Sequence, residues 1–221
     1  MVQENHSKVP IPTLGRLATY LRVLNELQML EVSTVSSAEI EQQTGINAAQ
    51  FRKDLSYFGE FGKPGVGYSV SELQQSIAKI LKLDRRQAVL LVGAGNLGSA
   101  LVGYQGMAEH RMELMGIFDS NPSKIGTMLG TLRVQSIHCL VEVNMKLNAR
   151  IAILAVPAQV AQSVSEILVE AGVRAILNFA PIPLRLPENV AVRNVSFMQE
   201  LAVLSYQAAE EVSQLSEFES F

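Results

Sequence analysis

Tryptophan is absent from this 221-residue chain and cysteine occurs once, at Cys139. One cysteine excludes an intrachain disulfide framework and fits a reducing compartment; a lone residue of this type is expected to be a small core side chain. Long hydrophobic runs are also missing. The best, "AVLLVGAG", falls far short of the roughly 20 apolar residues a bilayer-spanning helix needs, and the opening "MVQENHSKVP" lacks the apolar centre of a signal peptide. A cytoplasmic location and no membrane partner are therefore expected. Nor is one sign of charge dominant: 18 Lys and Arg face 21 Asp and Glu, a net of −3. The balance is uneven, however. Residues 1–86 hold ten basic against nine acidic side chains, and the remainder eight against twelve, so an anionic partner is favoured for the first part. Spacings that would mark a metal site, a nucleophile elbow or a P-loop are lacking, as are internal repeats and low-complexity tracts.

What is present begins with a 48% hydrophobic composition and a length that suits two small domains. "IPTLGRLATYLRVLNELQML" predicts a first helix, with Leu14, Leu17, Ala18, Leu21 and Leu24 on one stripe and Thr13 as its cap. "VSSAEIEQQTG" predicts a short second helix capped by Ser36 or Ser37 and stopped by Gly45. "INAAQFRKDLSYFG" is the third. On it Phe51, Leu55 and Phe58 share an inward face, while Gln50, Arg52, Lys53, Ser56 and Tyr57 lie on a basic, aromatic outer one. "GEFGKPGVGY" then cannot be helix, because glycines loosen the backbone and Pro64 lacks a donor. Helix, tight turn, helix and glycine hairpin predict a winged helix-turn-helix, whose outer residue types suit base edges and phosphates. A fourth helix is expected over residues 71–82, capped by Ser71, before the linker "LDRRQ".

The texture then changes. "AVLLV", "MELMGIFD", "ARIAILAVP" and "VRAILNFAP" read as strands, separated by the helical stretches "SIHCLVEVNMKLN" and "AQVAQSVSEILVEAG". Such alternation predicts a doubly wound parallel sheet, so the fold class is α/β: a winged helix-turn-helix followed by a Rossmann domain. Gly93, Ala94, Gly95, Asn96, Leu97 and Gly98 have G-x-G-x-x-G spacing after a strand and at the start of a helix, the context a dinucleotide site requires. Asp119 ends the next strand, 21 residues beyond Gly98. A carboxylate there accepts ribose hydroxyls and repels a 2′-phosphate, which favours NADH and NAD+ over their phosphorylated counterparts. A dehydrogenase would also need an acid/base beside the nicotinamide and a substrate domain, yet His6, His110 and His138 follow no strand on that side. No catalytic residue is assigned and no enzyme activity is expected. Two rival readings remain: an NAD-dependent oxidoreductase with a DNA-binding-like appendage, and an NAD-bound dimer whose basic helix contacts protein.

"RKDLSYFGEFGKPGVGY", "GAGNLGSAL", "FDSNPSKIG" and "ILNFAP", in this order, closely resemble the Rex family of redox-sensing transcriptional repressors from about Val9 to Tyr206. The resemblance implies a homodimer on palindromic operator DNA that lets go when NADH binds, with the C-terminal helix exchanged between subunits. It divides the chain into a winged helix over 1–84, a Rossmann domain over 85–195 and an exchanged helix and tail over 196–221. It also implies that Arg52, Lys53 and Ser56 meet the major groove or its phosphates, and that Lys63 and its neighbouring glycines, Gly65 among them, form the wing in the minor groove. Lys124, within "FDSNPSKIG", joins the cofactor residues; Tyr104 lies beside the nicotinamide, and Phe197 packs into the partner's pocket. Arg16 resembles an arginine that meets the exchanged-helix region. Two positions depart from the family pattern: Pro64 stands where many relatives have a wing arginine, and Ser196 where some have an acid.

Overall fold

A computed structural model describes residues 9–63, 65–104 and 106–218, with Glu109 and residues 210–218 by backbone alone. Contacts divide the chain into two compact units, 1–86 and 87–221.

In the first unit, α1 (Ile11–Met29), α2 (Ser37–Thr44), α3 (Ala48–Ser56) and α4 (Val70–Ile80) close around Leu17, Tyr20, Leu24, Ile40, Phe51, Leu55, Leu73 and Ile77. The caps explain where the helices begin. The Ser36 hydroxyl accepts from the Glu39 N–H at 3.2 Å while the Glu39 carboxylate accepts from the Ser36 N–H at 2.7 Å, a reciprocal capping box. Gly45 ends α2 in the left-handed region, and two residues later the Asn47 side chain accepts from Ala49 N–H to start α3. Gly45, Ile46 and Asn47 form the tight turn of the helix-turn-helix. Strand β1 (Thr34–Val35) pairs antiparallel with β2 (Tyr68–Ser69), and the bridge from Lys63 to Gly67 closes a wing between α3 and β2. Gly67 is required there: at φ 95° a Cβ would lie 2.7 Å from the Val35 carbonyl oxygen. Pro64 lies outside the described residues.

Several local expectations shift. Thr13 does not cap α1, which starts after Pro10; its hydroxyl is buried and donates to Asp54. Leu14 and Ala18 face outward, and the buried stripe runs instead through Thr13, Leu17, Tyr20, Leu21 and Leu24. Helix α4 begins one residue earlier than expected, with Ser69 as the cap on Glu72 N–H, because Ser69 is the last residue still extended in β2.

The second unit is a seven-stranded sheet ordered β5-β6-β4-β3-β7-β8-β9. Its strands are β3 (Gln87–Val92), β4 (Met112–Asp119), β5 (Met128–Leu129), β6 (Leu132–Ser136), β7 (Ile151–Leu154), β8 (Ala175–Asn178) and β9 (Ala191–Asn194). All neighbours are parallel except the edge pair β5 and β6. Without β5 the order is the doubly wound dinucleotide arrangement, in which the winding direction reverses between the first and fourth strands, here β3 and β7. Side chains alternate across the sheet. Leu90, Val92, Phe118 and Leu154 pack on one face with α7 (Leu140–Leu147) and α8 (Ala158–Glu170); Val89, Leu91, Ile117 and Ile153 pack on the other with α5 (Asn96–Val102) and the short α6 (Gly106–Glu109). Both faces are covered, which is why β3 reads as an unbroken apolar run. Cys139 is exposed, contrary to its expected place in the core, since it precedes α7 while Leu140 takes the inward position. The last helix, α9 (Phe197–Phe218), leaves Phe197, Met198, Leu201 and Leu204 between 55% and 72% exposed. Ala208 is exposed as well, and the Val212 and Leu215 positions of its expected stripe lie outside the described side chains.

Candidate functional site

Gly93 follows β3 at the point where the sheet reverses direction. Its φ is 103°, and a Cβ would sit 2.2 Å from the Ala155 carbonyl oxygen beyond β7, so only glycine fits. Its N–H donates to the Phe118 carbonyl at 2.8 Å, and Ala155 N–H donates to that of Val92, also at 2.8 Å. Gly98 is needed for contact, since a Cβ there would lie 1.9 Å from the Gly93 oxygen as α5 closes on the turn. Gly95 differs from both: nothing lies within 4 Å of where its Cβ would be. The turn is thus packed on its inner side and open at Gly95, above the first turn of α5, as close approach of a pyrophosphate to backbone requires. Asn96 and Leu97 are the first two residues of that helix.

Asp119, at the end of β4, is 9% exposed and fastened to this turn. Its Oδ2 accepts from Ala94 N–H at 2.8 Å and from Lys124 Nζ at 3.4 Å; its Oδ1 accepts from Asn121 N–H at 2.8 Å. Burial alone would raise the carboxyl's pKa, but the Asn121 and Ala94 N–H groups and the Lys124 ammonium outweigh it and hold the acid below its ordinary range. Gly93 to Gly98, Asp119 and Lys124 are therefore brought together. Tyr104, just beyond α5, is 64% exposed. The Phe197 ring lies 6.2 Å from that of Phe179, which follows β8. Ser196 supports the start of α9, its hydroxyl accepting from Gln199 N–H at 3.3 Å. His110 and His138 are exposed, and among the described residues no three His, Cys, Asp or Glu side chains gather to hold a metal ion.

In the first unit the outer face of α3 carries Arg52, Lys53, Ser56 and Tyr57, all exposed. The Arg52 guanidinium donates to Ser37 Oγ on α2 at 2.7 Å, and the Ser56 hydroxyl donates to the Lys53 carbonyl. Lys63 and Gly65 are exposed on the wing. Gln50 behaves differently: its side-chain amide turns inward and donates to Asp54 Oδ1 at 2.8 Å.

Asp54 was missed in the sequence. It is fully buried and accepts from Arg16 through two nitrogens, at 2.6 and 2.7 Å, as well as from Tyr20 Oη at 3.0 Å, Thr13 Oγ1 at 3.2 Å and Gln50. Burial would raise its pKa, yet these donors, Arg16 first, hold it below the carboxylate range, while burial and Asp54 push the Tyr20 phenol upward. The signal was its register: positions 51, 54, 55 and 58 follow i, i+3, i+4, i+7, so a carboxylate on that stripe must face the core. Arg16, assigned by resemblance to the exchanged-helix region, is engaged here inside its own unit.

A winged helix and a dinucleotide-type Rossmann unit on one chain define a DNA-binding protein class with a built-in nucleotide fold. Residues 8–56 match the family model "Putative DNA-binding protein N-terminus", and residues 84–182 match "CoA binding domain". The redox-sensing transcriptional repressor Rex of Carboxydothermus hydrogenoformans is 47% identical over 199 residues, 90% of this chain and 96% of that protein. Rex of Roseiflexus sp. (strain RS-1) is 45% identical, over 92% of this chain and 93% of its own. Among solved structures, RSP in complex with beta-NAD+ and operator DNA is similar with a TM-score of 0.88 and 36% identity, over 95% of this chain and 97% of that one. RSP in complex with beta-NADH gives 0.84 and 35%, over 95% and 99%. This chain belongs to the Rex family of redox-sensing transcriptional repressors.

Proposed function

We propose that this protein is a homodimeric repressor that binds operator DNA through its winged helices when NADH is scarce and releases it when NADH occupies the Rossmann unit. The observation that carries the reading is the Gly93–Gly98 turn, open at Gly95 and fastened to Asp119, on the same chain as a winged helix with an exposed basic face. The solved relative RSP, with NADH in one structure and with NAD+ and operator DNA in another, supports it. Gly93, Ala94, Gly95, Asn96, Leu97 and Gly98 hold the pyrophosphate, and Asp119 and Lys124 face the adenosine ribose. Tyr104 and Phe197 belong to the nicotinamide end. The bound nicotinamide supplies only a redox state to be read: its two forms differ by a positive charge and ring planarity, and an apolar surround disfavours the cation through desolvation. A response requires that difference, since a ligand binding both conformations equally shifts nothing.

On the DNA side, Lys53 and Tyr57 are the best placed to read bases, with Arg52 and Ser56 beside phosphates and Lys63 and Gly65 at the minor groove. Gln50 has less to offer a base, as its amide is turned inward and one of its two N–H groups serves Asp54. Helix α9 is the exchanged element: burying Phe197, Met198, Leu201 and Leu204 against a second copy is worth roughly 1.5–3 kcal/mol per side chain. The family name speaks for a regulator, and the reading adds that no substrate is turned over and that the protein acts in the cytoplasm, with the DNA. Among the described residues no helix is long and apolar enough to cross a membrane.

Gel mobility shifts with operator and random duplexes, in the presence of NADH, NAD+ or coenzyme A, test the reading. Operator retardation reversed by NADH, and not by coenzyme A, is expected. Gly95→Val should bind the operator as tightly as wild type yet no longer respond, because its side chain enters the open space at the glycine turn of the second unit. Release of that variant at the wild-type NADH concentration would overturn the pyrophosphate assignment, and hydride transfer to an added substrate would favour the oxidoreductase.

A further inference from the structure

The acid at the end of β4 does not stand alone. A carboxylate offers about four lone-pair sites, and three donors already meet Asp119: Ala94 N–H, Asn121 N–H and Lys124 Nζ. The segment from 121 to 124 is a preformed turn. Asn121 Oδ1 accepts from the N–H and the hydroxyl of Ser123, both at 2.9 Å, and Lys124 N–H donates to the Asn121 carbonyl at 3.0 Å. Lys124 N–H is thereby tied to the residue whose own N–H is fastened to Asp119, which returns the ammonium over the carboxylate. The Lys124 contact is the longest of the three, and its side chain is 38% exposed against 11% for Asp119. It is the donor most easily displaced.

We propose that Lys124 is a specificity-determining residue that opposes Asp119, moderating the site's rejection of a 2′-phosphate; the inference rests on the dinucleotide reading of this unit. When a ribose brings two hydroxyls, one takes the place of the ammonium on Oδ2 and Lys124 turns outward. A 2′-phosphate in the same position is repelled by the carboxylate but meets the released ammonium within reach, so the two side chains pull the choice in opposite directions. An acid without this partner would discriminate more sharply.

The test is direct binding to the full-length protein, by calorimetry, of NADH, NADPH, ADP-ribose and 2′-phospho-ADP-ribose; the last two lack nicotinamide, so the redox response does not enter. Lys124→Gln should weaken both 2′-phosphorylated ligands roughly three- to tenfold more than it weakens NADH and ADP-ribose, the range expected for loss of one charge-assisted contact near the surface. Lys124→Arg should keep the wild-type ratio. Asp119→Asn should move the ratio the other way, in favour of the phosphorylated pair. Equal weakening of all four ligands by Lys124→Gln would make Lys124 a holder of the shared phosphates, and unchanged affinities would leave it a structural partner of Asp119; either result overturns the proposal. Wild-type protein that bound none of the four would instead bring down the dinucleotide reading itself.

Discussion

The two units hold their buried polar groups by different means. The winged helix is built around an ionised centre: Asp54, with no exposed surface, gathers Arg16, Tyr20, Thr13 and Gln50 and joins α1 to α3. The Rossmann unit relies on neutral amides away from its nucleotide turn. Asn144 donates to the carbonyls of Ala149 and Ala171 and accepts from Ala149 N–H, while Asn178 donates to Ala180, Ile182 and Asn194 and accepts from Ala180 N–H. Among the described residues no buried side-chain polar atom lacks a partner, so both solutions are complete. The difference lies in the cost of failure. A severed amide leaves neutral groups unpaired, whereas a severed ion pair leaves a charge in the core, and the second is the larger penalty.

The largest effect should therefore come from Asp54→Ala. The buried hydroxyls of Tyr20 and Thr13 would lose their acceptor, at about 1–3 kcal/mol for each unsatisfied buried group, and α3 would also lose its tie to α1 through Arg16. Amide hydrogen exchange should show protection falling across residues 11–80 while β3, β4 and β7 keep theirs; an equal loss in both units would mean that they unfold together. The same centre makes the winged helix sensitive to acid. The folded pKa of Asp54 is lowered from the ordinary 3.8, so its contribution is complete above that value and disappears as pH falls through the lower, folded one. Asp54→Asn should flatten the pH dependence of first-unit protection in that window, and an unchanged profile would point to another carboxylate.

Next in size is Asn178→Ala. The carbonyls of Ala180 and Ile182 and the Ala180 N–H lose a partner, at about 1–3 kcal/mol for unsatisfied buried groups, and only the Rossmann unit should register it. Separate thermal transitions in the two single variants would establish the contrast. A cost at Asn178 equal to that at Asp54 would erase it.

That contrast also explains what could be read from the chain. Strands β3, β4, β7 and β8 were legible because burial on one or both faces leaves apolar runs, and the glycine turn because its spacing follows from close packing at Gly93 and Gly98. Strands β5, β6 and β9 were not seen: β5 has only two residues, β6 carries Arg133 and Gln135, and β9 is mostly exposed at the sheet edge. Periodicity finds apolar faces, so it places Arg52, Lys53 and Tyr57 outward, where they are exposed, but it says nothing of a polar side chain that turns in. Gln50 looked like a base reader for that reason, and Asp54 was passed over. Asp119 was found through its distance from Gly98; its tie to Ala94 N–H has no sequence signature, because it depends on how β3 and β4 are aligned.

The smallest effects belong to the surface of the winged helix, where Lys53→Ala and Lys63→Ala should leave stability within about 0.5 kcal/mol and change only DNA binding. Lys53 is exposed on α3, next to the guanidinium that Ser37 anchors and one turn before Tyr57, so it can donate to guanine O6 and N7 in the major groove. Its loss should relax base preference by roughly 1–3 kcal/mol at one position. Lys63 stands on the wing, its backbone paired with Gly67 and its side chain exposed beside glycines, which suits a phosphate or the electronegative minor groove. Its loss should weaken all sequences evenly and lower the salt dependence of binding by about one charge. Affinities for the best operator and its single-base variants at two salt concentrations separate the two roles. A uniform loss in Lys53→Ala would make Lys53 a phosphate contact and pass base reading to another residue of this helix, with Tyr57, also exposed on that face, the first to substitute.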